Sequence, residues 1–375
     1  MGVAESLRQG RSVITERPAL VLLALAGAAL FVDLLVRLFV LPASNGGVAI
    51  SSFATLLLDG LVLGLVYGLA GVGLSMTYSI LNFANFSHGD LVTSGAFFGW
   101  VTTWLITGLG TASAGALFLL GGGGGLTVGD LDLSIVKTPL AILLGMVVAA
   151  GGTLLLSLFI DRVVYKRMRN QSGIALLIAS IGVALALRYL IAFIWQTGSL
   201  STTAVNDVES FPVFLVDGTI NVDVHEITLI VAAIALMLGV HVLLQNTKLG
   251  KAMRAMADNE DLARVTGIPT ERIITYTWAI GGGLAGISGY LIALNTGVLR
   301  FNLGWVLLLL IFAAVILGGI GSIYGAMGGG LVIGLAEQLS LVWIPSEFTT
   351  VAAFGVMILV LLFKPSGLFS GVTVA

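Results

Sequence analysis

The sequence predicts an all-α fold: a polytopic membrane bundle of about ten transmembrane helices, with glycine-interrupted or re-entrant segments. Three observations carry this. Hydrophobic residues make up 58% of the 375-residue chain and charged residues 10%, with a mean hydropathy of +1.08. Soluble domains carry roughly 25% charged residues, so this chain lacks the polar surface to cover a globule in water, and its solvent is lipid. Apolar runs of roughly 20 residues, the length that crosses hydrocarbon as a helix, recur from Pro18 to the C-terminus. The 50 glycines suit close helix–helix packing in lipid.

The elements follow in order. Residues 1–17 form a short polar tail, with Arg8, Arg11 and Arg17 against Glu5 and Glu16. Pro18–Leu41 comes next. A cleaved signal peptide has a shorter apolar region and a small-residue cleavage site, so the expectation is a retained additional helix and an external loop over 18–52. Asp33 and Arg37 lie four apart and face the same side, a mutually neutralising pair near the outer boundary. Further apolar runs cover roughly 55–80, 91–119, 139–161, 173–196, 226–245, 273–296, 305–319, 324–340 and 348–363. The 91–119 run has room for a helix and a re-entrant piece. Gly121–Gly125 reads as a flexible external linker; no Lys-Ser/Thr pair follows it, so it is not a phosphate loop.

Orientation follows from the cations. The 161–172 loop holds Arg162, Lys166, Arg167 and Arg169, and the 246–272 loop holds Lys248, Lys251, Arg254, Arg264 and Arg272. Between them, 197–225 carries Asp207, Glu209, Asp217 and Asp223 with no Lys or Arg. The two basic loops are therefore expected inside and the acidic one outside. Counting spans from these anchors puts both termini in the cytoplasm, including a C-terminal tail at 369–375.

Two stretches are too rich in glycine and polar residues to be simple helix. One is Asn82 to Asp90, with Asn82, Asn85, Ser87, His88 and Asp90; the other is Leu317 to Ala326, with Gly318, Gly319, Gly321 and Ser322. They fall in the two halves of the chain. Paired interruptions of hydrophobic segments point to a transport path, because unwound backbone is tolerated in a membrane only where it lines protein or water. Tight glycine turns at the cytoplasmic surface are the alternative, and the predicted topology places both stretches near that surface. Asp59, Arg188 and Glu337 sit in the outer parts of their spans, as path residues or as helix–helix pairs and snorkelling groups. Glu337 joins the candidate path. His241 is expected at the interface.

Catalysis finds little support. There is no cysteine, and His88, His225 and His241 are too scattered for a metal cluster. No G-x-x-x-x-G-K-[ST], H-E-x-x-H or G-x-S-x-G occurs. Any dependence on ATP has to be borrowed from a partner, and no metal or cofactor is expected in this chain.

The most charged run is Gln245 to Arg272. Lys251–Ala257 is rich in helix formers. Asp258 is a candidate cap for a second helix, with Glu260 and Asp261 in its first turn and Glu260 paired to Arg264 at i, i+4. Leu262 and Val265 form a small apolar face, Gly267 ends the helix and Pro269 prevents its resumption. Membrane connections need only about 2–8 residues, so a long, ordered, capped one suggests docking of a soluble partner.

The run GLVLGLVYGLAGVGLSMTYSILNFANFSHGD at 60–90 resembles the permease subunits of branched-chain amino-acid ABC importers, of the H type. So do IDRVVYKRMRN at 160–170, GKAMRAMADNEDLARVTGIPTERI at 250–273 and LGGIGSIYGAMGGGLVIGLAEQL at 317–339. The resemblance covers about 55–368 and implies a permease domain over 53–368. It implies a prokaryotic inner-membrane complex containing a second, M-type permease and two cytoplasmic ATPases that bind ATP and Mg. An external binding protein completes it, and no nucleic acid takes part. On that resemblance Arg254, Asp258, Asn259, Glu260, Ala263, Arg264 and Gly267 couple to the ATPase. Asp90 stands where the family often has Glu. The helix at 18–41 lies outside the matched region, and the glycine run resembles an insertion. Urea or short amides are the alternative substrates; a secondary transporter and a membrane-embedded enzyme are the other classes weighed.

Overall fold

The structure is a computed structural model that describes residues 18–42, 45–108, 133–202 and 208–369. The 1–17 tail, the Gly121–Gly125 run, Asp207 and the end of the C-terminal tail lie outside the described residues.

The 109–119 part of the 91–119 run, with the re-entrant piece expected there, lies outside the described residues. Among the described residues, helices occupy the predicted apolar runs. They are α1 Pro18–Phe39, α2 Ile50–Leu81, α3 Ser87–Gly108, α4 Pro139–Ile160, α5 Gly173–Trp195 and α6 Val224–Asn246. After these come α7 Lys248–Asp258, α8 Glu260–Val265, α9 Thr270–Thr296, α10 Leu303–Gly318, α11 Ile323–Leu339 and α12 Thr349–Phe363. Among the described residues, seven helical segments are long and apolar enough to cross a membrane, and α10 is a shorter apolar helix.

Helix starts follow local chemistry. Ser172 accepts from the Ala175 amide at the start of α5, and Asp223 with Glu226 forms a capping box at the start of α6. Thr247 caps α7 through the Gly250 amide at 3.0 Å. Two boundaries differ from expectation. The helix α3 begins at Ser87, so the first interruption shrinks to residues 82–86. The helix α4 does not stop at 161; it continues through a π turn, Asp161–Tyr165, to Met168.

Two compact units divide the chain. The smaller comprises residues up to Leu56 together with 213–220. In it Arg37 donates to Asp33 at 2.6 Å, as the i, i+4 spacing predicts, and the Asp217 carboxylate accepts from the Ile50 and Ser51 amides at the start of α2. The larger comprises Leu57–Pro212 and Asn221–Ala375. Its core is α9, buried along most of its length and packed on α3 and α4. A Cβ at Gly95 would overlap the Gly286 backbone, and one at Gly289 would overlap the Val92 carbonyl. Such contact between small residues drives association in lipid, where apolar burial gives no preference.

The acidic segment expected as an external loop contains strands. β1 Leu200–Ser201 pairs antiparallel with β4 Val298–Leu299. β2 Ser210–Leu215 and β3 Gly218–Asp223 form a hairpin.

Candidate functional site

The first interruption runs beside α5. Asn82, with φ of 54°, lies level with the start of that helix, its carbonyl 3.3 Å from where a Cβ on Gly173 would stand. The Phe86 amide then donates to Ser180 Oγ at 3.0 Å. Ser180 is seven residues into α5, about 10 Å along its axis. The segment therefore starts at one end of the bundle and climbs inward, so α3 begins two turns deeper than a surface turn would place it. Unwound backbone covers more distance per residue than helix, which lets residues 82–86 span those two turns of α5.

Four of its polar residues are buried. Asn85 Oδ1 accepts from the Ser87 amide at 3.1 Å and from Ser87 Oγ at 2.6 Å. Tyr165, on the π turn after α4, reaches the same pair: its hydroxyl lies 3.0 Å from Ser87 Oγ and 3.3 Å from Asn85 Oδ1. The Tyr165 ring stacks on Trp278 of α9 at 4.9 Å. His88 Nε2–H donates to the Ala70 carbonyl at 2.9 Å. Asp90 accepts two hydrogen bonds from Arg188, whose guanidinium also lies 4.2 Å from the Trp305 ring centre. Arg188 is thus a helix–helix partner.

The second interruption is a four-residue turn, Gly319 to Ser322, between α10 and α11. Gly319 and Gly321 take φ of 110° and 83°, which an L side chain adopts only under strain. Ser322 caps α11 through the Gly325 amide at 3.0 Å. Gly318 is buried against Gly325. The two interruptions share an apolar cavity of about 440 Å³ whose walls include Tyr78, Ala84, Phe86, Phe312, Ile320 and Phe354. Glu337 stands apart at the far end of α11, where it accepts from Tyr67 at 2.7 Å.

The charged segment forms two helices. Asp258 closes α7; the cap of α8 is Asn259, whose Oδ1 accepts from the Leu262 amide at 2.9 Å. The expectation for Asp258 is corrected: α7 extends one residue further than its helix formers suggest and leaves the cap to the next side chain. Arg264 pairs with Glu260 at 2.7 Å. The C-terminus of α8 is a Schellman motif: Ile268 N donates to Ala263 O at 3.0 Å and Gly267 N to Arg264 O at 3.1 Å, with Gly267 at φ of 88°. Ala263 is buried, while Leu262 and Val265 are 62% and 85% exposed.

Both ends of this segment are anchored. Arg254 Nη1 donates to Gln245 Oε1 at 3.2 Å and to the Leu244 carbonyl at 3.0 Å. Gln245 donates to the Tyr324 hydroxyl at 3.0 Å, which also lies 2.7 Å from His241 Nδ1. His241 is therefore held against α11 besides being exposed. At the other end, Glu271 accepts from Arg169 at 2.5 Å, and Arg169 also donates to both oxygens of Asp161. Sequence reading gave Tyr165, Gln245 and Tyr324 no role and Arg169 only that of a cation orienting its loop. The motif around 160–170 was the available signal, but nothing in its spacing points to partners about a hundred positions away.

A family model described as "Branched-chain amino acid transport system / permease component" matches residues 56–361. The chain is 27% identical over 316 residues to the high-affinity branched-chain amino acid transport system permease protein LivH of Salmonella typhimurium, covering 84% of this chain and 95% of the relative. It is 28% identical over 313 residues to BraD of Pseudomonas aeruginosa, covering 83% and 94%. A probable LivH of Methanocaldococcus jannaschii is 36% identical over 142 residues, 36% of this chain and 45% of the relative. No solved structure matches the chain.

Proposed function

The chain belongs to the branched-chain amino acid transport system permease family, and from that premise we propose that it is the membrane subunit of an ATP-driven importer for branched-chain or related amino acids. The observation that carries the reading is α8, a two-turn helix capped at both ends that displays Leu262 and Val265 to solvent. A helix this short is marginal alone, so its caps hold a shape for something else to grip. In this reading the α7–α8 segment faces the cytoplasm and seats on an ATPase subunit that binds ATP and Mg.

The complex comprises this permease, a second permease of the M type, two ATPases and an external binding protein, in the inner membrane of a prokaryote. About ten spans with both termini inside fit the distribution of cations. The interruptions line the path or its gate. Their shared cavity has largely apolar walls, which suit an aliphatic side chain better than urea, a fully polar molecule.

Co-expression with the candidate ATPases tests this. The ATPases should co-purify with the intact permease and separate from a Gly267→Pro variant that still inserts at normal levels. Equal retention by both would remove α8 as the docking element.

A further inference from the structure

We propose that two tyrosines, Tyr165 and Tyr324, connect the docking segment to the two interruptions, one at each end of the segment. The proposal rests on the reading of α7–α8 as the ATPase-docking element and adds how motion there reaches the path.

The first connection leaves from the C-terminal end. Glu271 stands in the first turn of α9, directly after Pro269. It is held at 2.5 Å by Arg169, which grips Asp161 with a second nitrogen at 2.8 and 3.1 Å. Asp161 opens the π turn and Tyr165 closes it. Tyr165 is 1% exposed, stacked on Trp278, and its hydroxyl meets Ser87 and Asn85 in the first interruption. A π turn has one residue more than an α turn and is a local irregularity that recurs at functional sites. Here it puts a cation-bound carboxylate at one end and the gate-contacting hydroxyl at the other.

The second connection leaves from the N-terminal end. Arg254 of α7 donates to Gln245, and Gln245 donates to the hydroxyl of Tyr324, in the first turn of α11 after the Gly319–Ser322 turn. The first interruption is thus reached through the Glu271–Arg169–Asp161 contacts, the π turn and the Tyr165 phenol, and the second through Arg254, Gln245 and the Tyr324 phenol, which stands two residues after the Gly319–Ser322 turn. Coupling between distant sites needs packed, discrete contacts of this kind, but contiguity alone does not establish it. Tyr165, Arg169 and Tyr324 act as positioning residues.

The test uses the complete transporter in proteoliposomes, with leucine as the probe, and reads leucine taken up per ATP hydrolysed while checking that the ATPases remain bound. Tyr165→Phe keeps the ring on Trp278 and removes only the hydroxyl contacts. It should lower the ratio by about tenfold, within the range of allosteric coupling, with the ATPases still bound. Arg169→Gln should do the same, and the double variant should be no lower than the lower single, because both break one connection. Should Arg169→Gln fail to fold, Ser87→Ala takes its place in the cycle by removing the same contact from the other side. Tyr324→Phe combined with Tyr165→Phe should multiply the losses. A wild-type ratio in Tyr165→Phe, or multiplied losses in the Tyr165–Arg169 pair, would overturn the proposal. If the wild-type complex shows no ATP-driven uptake, the transporter reading fails and the connections fall with it. If it does and the variants match it, only the connections fall.

Discussion

Asp90 and Arg188, 98 residues apart in the chain, form a two-pronged ion pair at 3.2 and 2.9 Å in which the Asp90 side chain is wholly buried. It ties the first turn of α3 to α5, with Trp305 of α10 against the guanidinium. Removing one member of a buried pair leaves the other charge uncompensated, at a cost of about 3–5 kcal/mol. Asp90→Asn should therefore lower the thermal midpoint of the purified protein, and adding Arg188→Met should recover most of the loss. A single variant as stable as wild type would contradict the clasp.

Glycine contacts give a paired prediction. A Cβ on Gly286 would overlap the Ala149 carbonyl and the Thr153 side chain, whereas one on Gly151 meets nothing. Gly286→Ala should destabilise by about 1–3 kcal/mol or disrupt assembly. Gly151→Ala should be neutral or stabilising by up to about 1 kcal/mol. Comparable unfolding curves for the two would remove close packing as the role of Gly286.

The cap of α8 separates two adjacent residues. Asn259→Ala should cost about 1 kcal/mol of local helix stability and weaken ATPase binding, while Asp258→Ala, which leaves the cap in place, should cost α8 no local stability. Amide hydrogen exchange over residues 260–265 in each variant decides; a larger loss of protection from Asp258→Ala would overturn the assignment of the cap.

Topology can be read by labelling, since the chain has no cysteine. Asp217 is a poor position for a probe because it caps α2, but its neighbour Val216 is 96% exposed. Val216→Cys should react with an impermeant thiol reagent outside intact cells, and Val265→Cys, also exposed, should not. Reaction at residue 265 from outside would invert the orientation.

Much of the fold was legible because a lipid-spanning helix is written as an uninterrupted apolar length, and among the described residues such runs carry helices. The helix α8 was legible in its Glu260–Arg264 pair and its Gly267 terminus, which sit where their spacing says, while its N-cap falls one residue later than expected, at Asn259. The β2–β3 hairpin, which turns at Val216-Asp217, was missed although β3 alternates polar and apolar residues; the acidic charge drew the reading toward a loop. Asp90 was legible as a candidate path residue but not as the partner of Arg188, and Tyr165 was not legible at all. Those contacts depend on how helices cross, which periodicity within one segment does not encode.

The central claim is that partner ATPases drive this permease through the α7–α8 segment. The most direct measurement is leucine accumulation in proteoliposomes holding the purified complex, with the binding protein outside and ATP supplied on the ATPase side. The account predicts uptake that requires both ATP and the binding protein, is insensitive to collapsed ion gradients, and is lost in Gly267→Pro. Uptake by the permease alone, driven by an ion gradient without ATP, would contradict it.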